Sequence, residues 1–313
     1  MNAGPTDTTA WTVNRLLSWT REYLERHGVE SPRLCAELLL AHTLRCQRIE
    51  LYTRYEYTPP PDALSAFREL VRQAAEGRPI AYLTGTKEFF SLPLEVTPDV
   101  LIPRPETEIL VERTIDLVRK SAARLRTILD LGTGSGCIII SLARHLPDAQ
   151  LFASDISPEA LAVARRNADR LGVGQRIEFR CGDLFTCWTT PCHPSNAAPS
   201  PRFDVIVCNP PYVATQGAPV EPAVRRYEPP GALFAGPDGL DVIRAVVAAA
   251  PAWITPRGHL LMEVAFDQAP AVRGLLATGP WTDIVTYRDG AGHERVVHAR
   301  SAEESGAAPP PGR

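Results

Sequence analysis

The run Phe203-Asp204-Val205-Ile206-Val207-Cys208 leads straight into Asn209-Pro210-Pro211-Tyr212, a tetrapeptide suited to accepting hydrogen bonds rather than donating them. Two consecutive prolines stiffen the backbone and remove two N–H donors, which leaves carbonyl acceptors beside the Asn209 side chain. Such a loop fits an NH₂ group on a planar conjugated system. An amide nitrogen of that kind is a poor nucleophile, because its lone pair is delocalised into the carbonyl. If the Asn209 side-chain oxygen and the Pro210 carbonyl accept its two hydrogens, the nitrogen is held in line for displacement and its developing positive charge is stabilised. Tyr212 can lie against the flat group and exclude water. No strong general base is required, since the proton can leave after transfer.

A group to be transferred needs a donor pocket, and the segment Ile128-Leu129-Asp130-Leu131-Gly132-Thr133-Gly134-Ser135-Gly136 provides its first element. A strand runs into a glycine-rich turn and then into the helical stretch Cys137 to His145, and glycine lets backbone approach a ligand closely. The spacing is Gly-x-Gly-x-Gly after an acidic residue, not the Gly-x-Gly-x-x-Gly of dinucleotide-binding proteins. The next strand ends in Ser154-Asp155, where a carboxylate can accept from both hydroxyls of a ribose. The third ends in Cys181-Gly182-Asp183-Leu184-Phe185, placing Asp183 near an adenine amino group with Leu184 and Phe185 flanking the ring. Singly, Asp155 can cap the helix beginning near Pro158 and Asp183 can close a turn. In order on successive strands, with Asn209 after the fourth, they read as an S-adenosylmethionine pocket feeding methyl transfer.

Positioning these loops takes a doubly wound sheet. From Thr127 on, short β-rich runs alternate with helical ones: Thr127 to Leu131, Gln150 to Ser154, Arg176 to Arg180, Phe203 to Cys208, Gly258 to Val264, Asp283 to Tyr287 and Arg295 to His298. The last strands follow one another without a long helix between them, which predicts an antiparallel pair at the C-terminal end. The fold class expected is α/β, a Rossmann-like seven-stranded class I S-adenosylmethionine-dependent methyltransferase domain over residues 104–300. Ahead of it, residues 1–79 show helical stripes (Val13, Leu16, Leu17, Leu24, then Leu34, Leu38, Leu39, Leu44) and predict a small helical bundle. Ser31-Pro32 is a cap and first-turn signal, and Pro59-Pro60-Pro61 separates the second helix from a third. Residues 80–103 read as a β-hairpin linker, and Glu106 to Lys120 as a helix. The Pro- and Ser-rich stretch Thr186 to Arg202 reads as a surface insertion and residues 301–313 as a flexible tail.

Composition narrows the function classes. The 33 basic and 36 acidic residues give a formal net charge of −3, without the basic excess of a protein that grips phosphates. No apolar run approaches a membrane span and the first residues are polar, so a cytoplasmic protein is expected. The seven cysteines are read as reduced thiols. Cys187, Cys192 and His193 lack the second Cys/His pair of a structural zinc site, so no metal is expected.

On these residues the chain resembles the HemK/PrmC family of protein-(glutamine-N5) methyltransferases. Beyond the glycine turn and Asn209-Pro210-Pro211-Tyr212, the likeness rests on Phe89-Phe90-Ser91-Leu92-Pro93-Leu94 and on Val100-Leu101-Ile102-Pro103-Arg104-Pro105-Glu106-Thr107-Glu108. It extends to Glu228-Pro229, Ala232-Leu233, Gly236-Pro237-Asp238-Gly239-Leu240, Leu261-Met262-Glu263-Val264, and Asp289 ahead of Arg295-Val296-Val297. Ala265 departs from the pattern, standing where a glycine usually follows Glu263-Val264, and so does the Thr186 to Arg202 stretch. The resemblance implies S-adenosylmethionine held by Gly132, Gly134, Asp155 and Asp183, and a substrate amide held by Asn209 and Pro210; Thr133, Gly136, Leu184, Phe185 and Asn209 are further candidate donor contacts. It implies as partner the Gly-Gly-Gln tip of class 1 peptide chain release factors, docked with help from the helical domain by a monomer that binds neither nucleic acid stably nor membrane. Arg104, Glu106 and Thr107 are candidate loop contacts to donor or glutamine, against the alternative of a solvated turn. Three other functions are weighed. They are methylation of a glutamine on a ribosomal protein, methylation of an adenine amino group in DNA or RNA, and a non-catalytic donor-binding module.

Overall fold

The computed structural model describes residues 10–121, 125–189 and 201–302. In chain order it begins with α1 (Val13–Arg26), α2 (Pro32–Leu44), α3 (Arg48–Thr53), α4 (Pro61–Ala75) and α5 (Ile80–Thr84), then β1 (Thr86–Phe89) and β2 (Leu92–Glu95). There follow α6 (Glu108–Lys120), β3 (Thr127–Leu131), α7 (Cys137–His145), β4 (Gln150–Asp155), α8 (Pro158–Arg170), β5 (Ile177–Cys181) and β6 (Phe203–Cys208). The chain continues through α9 (Pro222–Tyr227), α10 (Asp241–Ala249), β7 (Ile254–Glu263), α11 (Ala269–Ala277), β8 (Trp281–Arg288) and β9 (Glu294–Ser301). Two units separate by contact: the chain up to Thr86 with Val220–Tyr227, and Lys87–Pro219 with the chain from Glu228.

The first unit is helical because its apolar residues recur at helical spacing. Val13, Leu16 and Leu24 of α1, Leu39 and Leu40 of α2, and Phe67 and Val71 of α4 meet in one core. Helix α2 starts at Pro32 as expected, but Ser31 makes no side-chain cap and sits at φ 48°. Three short helices of this unit were not legible, α3, α5 and α9. The second corrects the expected hairpin linker: Pro79 presets a helical start, Tyr82 and Leu83 turn inward, and Gly85 at φ 67° ends the turn. The hairpin therefore begins at Thr86. Its tight turn is Phe90-Ser91, both at positive φ (49° and 59°), a pair without the usual Asn-Gly signature.

The second unit carries a seven-stranded sheet in the order β5-β4-β3-β6-β7-β9-β8. Strands β5 through β7 are parallel, and β9 inserts antiparallel between β7 and β8, so the expected antiparallel pairing at the C-terminal end is present. Alternation along each strand divides the core between the two faces: Ile128, Val205 and Val207 pack on one side, Leu129, Leu131, Ile206 and Cys208 on the other. The register does the positioning. Leu131 pairs with Ser154 on one side and with Cys208 on the other, so Gly132, Asp155 and Asn209 leave the sheet side by side. Chain order reverses between β3 and β6, and that switch point is where such sheets open a ligand crevice.

The expected surface insertion is corrected at its start. Thr186–Trp188 forms a 3₁₀ turn, and Trp188 is 1% exposed, edge-on to Phe152 and Phe203 at 5.7 and 5.6 Å between ring centres. A large aromatic ring so placed belongs to the core. Residues 190–200, including Cys192 and His193, lie outside the described residues. The expected tail also starts later than Ser301, which is buried as the last residue of β9; residues 303–313 lie outside the described residues.

Candidate active site

A cleft of about 350 Å³ opens at the carboxyl ends of β3, β4, β5 and β6. Gly132, Thr133, Gly134, Asp155, Asp183, Leu184, Asn209, Pro210 and Pro211 line it, so three donor-side loops and the Asn-Pro-Pro turn converge on one space. Arg104 and Thr107 line it as well. Gly132 and Gly134 stand at φ 71° and 55°, in the left-handed region that glycine enters without steric penalty.

Asp155 is held rather than loose. One carboxylate oxygen accepts from the Gly134 N–H at 2.8 Å and the other from the Ser157 N–H at 2.9 Å. Burial pushes its pKa up, and these backbone donors pull the other way. The capping of α8 falls instead to Ser157, whose hydroxyl accepts from Ala160 N–H at 3.0 Å. Asp183 likewise closes its turn with its backbone carbonyl, which accepts from Thr186 N–H at 2.9 Å, and its side chain is exposed on the cleft.

Two expected ligands sit elsewhere. Phe185 turns into the core, 4% exposed, and stacks on Trp253 at 5.7 Å with the planes 7° apart, so it does not line the cleft. Besides Leu184, Ile156 also lines the cleft, an apolar side chain 68% exposed just past the end of β4. Gly136 does not line the cleft either: it caps α7 at φ 81°, and an added Cβ would stand 2.8 Å from Ile140 Cδ1 and 3.2 Å from Ala164 Cβ. Its role is helix packing.

The loop that carries Arg104, Glu106 and Thr107 divides its work. Arg104 pairs with Glu228, whose side chain is 1% exposed and whose other oxygen accepts from Ile102 N–H at 3.1 Å. Thr107 is buried, and its hydroxyl oxygen accepts from Asn209 Nδ2 at 3.1 Å. Glu106 is half-buried and does not line the cleft. Tyr212 does not line the cleft; its hydroxyl donates to Glu263 Oε1 at 3.1 Å, and its carbonyl accepts from Gln268 Nε2 at 2.9 Å. Behind it, Val213 pairs with the Leu233–Ala235 backbone, so the Asn-Pro-Pro-Tyr turn rests on the segment that ends in Gly236.

Two buried acids were not singled out as site residues. Asp130, at the foot of the glycine turn, is fully buried; Oδ2 accepts from the Thr133 hydroxyl at 2.7 Å and Oδ1 makes no close hydrogen bond among the described residues. Desolvation pushes it up to about 7. Glu263 ends β7, 1% exposed, and burial raises it to about 7 against the pull of the Thr107 and Tyr212 hydroxyls; its Oε2 makes no close hydrogen bond among the described residues. A charged residue inside an apolar strand run, as in Leu261-Met262-Glu263-Val264, is the signal that marks such a position.

Comparisons with known proteins agree along the chain. The family described as "PrmC N-terminal domain" matches residues 15–85, and "Methyltransferase domain" matches residues 124–262. The release factor glutamine methyltransferase of Rhodopirellula baltica is 41% identical over 302 residues, covering 94% of this chain and 98% of that protein. That of Geobacter sulfurreducens is 41% identical over 291 residues, 93% and 97% of the two chains, and that of Burkholderia pseudomallei 43% identical over 273, 85% and 91%. Identity at this level across nearly the full length of each, helical region and catalytic sheet alike, makes the chain a member of the HemK/PrmC family, the release factor glutamine methyltransferases.

Proposed function

We propose that this chain transfers a methyl group from S-adenosylmethionine to the side-chain amide nitrogen of the glutamine in the Gly-Gly-Gln tip of class 1 peptide chain release factors. N5-methylglutamine and S-adenosylhomocysteine are the products. One observation carries the proposal: Asn209, Pro210 and Pro211 line the same cleft as Gly132, Gly134, Asp155 and Asp183. The amide acceptor and the donor pocket thus share one space.

The residues present fit the donor. A cleft of about 350 Å³ with positive-φ glycine backbone on one wall and two carboxylates on its rim matches a nucleoside with a short charged tail. Gly132, Thr133 and Gly134 bring backbone against it, Asp155 accepts from the ribose hydroxyls, Asp183 from the adenine amino group, and Leu184 with Ile156 flank the ring. Bound S-adenosylmethionine supplies an electrophilic methyl on a sulfonium sulfur. Asn209 Oδ1 and the Pro210 carbonyl take the two amide hydrogens, fix the nitrogen in line and stabilise the positive charge it gains. Pro210 and Pro211 hold that geometry with no N–H of their own to compete. Arg104, anchored by Glu228, frames the mouth of the cleft.

The helical first unit docks the release factor, a reading supported by the match of residues 15–85 to the N-terminal domain of this family. That match also favours a release factor over a ribosomal protein as substrate. The enzyme works as a cytoplasmic monomer; among the described residues no helix is long and apolar enough to cross a membrane. Asn209→Ala tests the site. Methyl transfer falls about 10²–10³-fold while donor affinity, measured by calorimetry, stays within about threefold. An Asn209→Ala protein that transfers methyl at the wild-type rate contradicts the assignment.

A further inference from the structure

Helix α8 carries a fully buried asparagine in its last turn, Asn167, which does not line the cleft. Asparagine is a weak helix former whose amide competes for backbone groups, so a buried one needs its hydrogen-bonding positions filled. Asn167 fills all four. Its Oδ1 accepts from Glu95 N–H at 2.7 Å and from Arg170 Nη2 at 3.1 Å. Its Nδ2 donates to the carbonyls of Glu95 and Ser135, each at 2.9 Å. Only one orientation of the amide serves these partners, because a peptide N–H only donates and a carbonyl only accepts. Toward β2 the amide acts as a neighbouring strand would, pairing both the N–H and the C=O of Glu95. Its remaining hydrogen reaches the glycine turn.

The two backbones that meet at Asn167 lead into separate stretches of the cleft lining. Ser135 lines the cleft beside Gly132, Thr133 and Gly134, and just past Glu95 the chain lines it again at Asp99 and Val100. We infer that Asn167 is a positioning residue for the methyl donor: its amide fixes the Ser135 carbonyl against β2, and so sets the spacing between these two walls. The glycine turn is tied to β4 by other bonds, since Gly132 and Thr133 N–H donate to the Ser154 carbonyl and Gly134 N–H to Asp155. Its tie to β2 runs through Asn167. The reach is short because Gly136 lets α8 close on the turn, where an added Cβ would stand 3.2 Å from Ala164 Cβ. Arg166 and Arg170 hold the same strand, through Glu95 Oε1 at 2.7 Å and the Pro93 carbonyl at 2.6 Å, but among the described residues neither bonds the glycine turn. The inference rests on the donor pocket proposed above and gives it a residue that does not itself touch the donor.

The test compares wild type with Asn167→Asp, Arg166→Ala and Leu276→Ala. Calorimetric S-adenosylmethionine affinity, urea unfolding, methyl transfer to a release factor and hydrogen exchange at the Glu95 amide are followed together. Asn167→Asp keeps an acceptor for Glu95 N–H but turns an oxygen toward the Ser135 and Glu95 carbonyls. Donor affinity is expected to fall at least about tenfold, with kcat at saturating donor within about threefold, because the Asn-Pro-Pro-Tyr turn is untouched. Leu276 is fully buried and does not line the cleft, so Leu276→Ala lowers the urea midpoint and leaves donor affinity within about twofold. Arg166→Ala, which loosens β2 alone, also stays within about twofold. In wild type, saturating S-adenosylmethionine slows exchange of the Glu95 amide at least about threefold, because turn and strand share one amide. That measurement needs no variant, and decides the matter if Asn167→Asp does not fold. Wild-type donor affinity in Asn167→Asp, an equal affinity loss in Leu276→Ala or Arg166→Ala, a kcat loss exceeding the affinity loss, or Glu95 exchange unmoved by the donor overturns the inference. A wild-type protein inert on release factors, in which Asn167→Asp alone still weakens donor binding, overturns the substrate reading and supports the role of Asn167.

Discussion

Asp130, buried beneath the glycine turn, shows how one residue sets stability against pH. Its carboxyl is fully buried at about 7, whereas in an unfolded chain it titrates near 4, so between these values the folded state holds a proton that the unfolded state has lost. The stability tied to that proton is complete below about pH 4 and is lost as pH rises through about 7. Asp130→Asn keeps an oxygen for the Thr133 hydroxyl and removes the buried charge. It is expected to raise unfolding stability on the order of 2 kcal/mol at pH 8 and to change it little at pH 4, read from urea unfolding at the two pH values. A gain of the same size at both pH values contradicts this account. At this scale the placement of Asn209, Asp155 and Asp183 on one cleft was legible, because each stands at the end of a recognisable strand or within two residues of it. Phe185 was not: adjacency to Asp183 suggested the pocket, but a phenyl ring next to a strand end is drawn to the core, where it stacks on Trp253. The Thr107 bond to Asn209 spans 102 residues, and local spacing carries no trace of it.

The strands were legible where apolar residues run unbroken, and β3 and β6 have the limits expected from their composition. Strand β7 begins at Ile254 rather than Gly258, because the polar stretch Thr255-Pro256-Arg257 hides a pairing between Ile254 and Phe203. Short helices such as α5 depend on one capping glycine and two inward side chains, too little for periodicity to register. The Asn-Pro-Pro-Tyr turn is supported by such a local device. Gly239 stands at φ 76°, and a Cβ there would come within 2.3 Å of the Tyr212 carbonyl and 2.9 Å of Gln268 Nε2. Gly239→Ala is expected to cost about 1–3 kcal/mol of stability and to displace the Tyr212 backbone. Transfer should then fall more than tenfold, at about unchanged donor affinity. Activity within about twofold of wild type would show that the turn does not depend on this close approach.

Across the whole molecule, two cores fold from two patterns of hydrophobic spacing. Leu39 lies fully buried in the helical core, among Leu16, Leu24, Leu40 and Phe67. Leu39→Ala should destabilise that unit by about 2–5 kcal/mol and raise amide hydrogen exchange in α1, α2 and α4 while leaving β3, β4 and β6 protected. Uniform loss of protection through the sheet would mean that the cores unfold together. The division into a helical region and a methyltransferase sheet was legible from the change of period; the partner was not, and came from family likeness. The most direct measurement is transfer of labelled methyl from S-adenosylmethionine to a purified release factor, beside the same factor with the Gly-Gly-Gln glutamine replaced. Label on the intact factor and none on the altered one is the predicted result. Label on both, or on ribosomal protein or nucleic acid with none on the release factor, would contradict it.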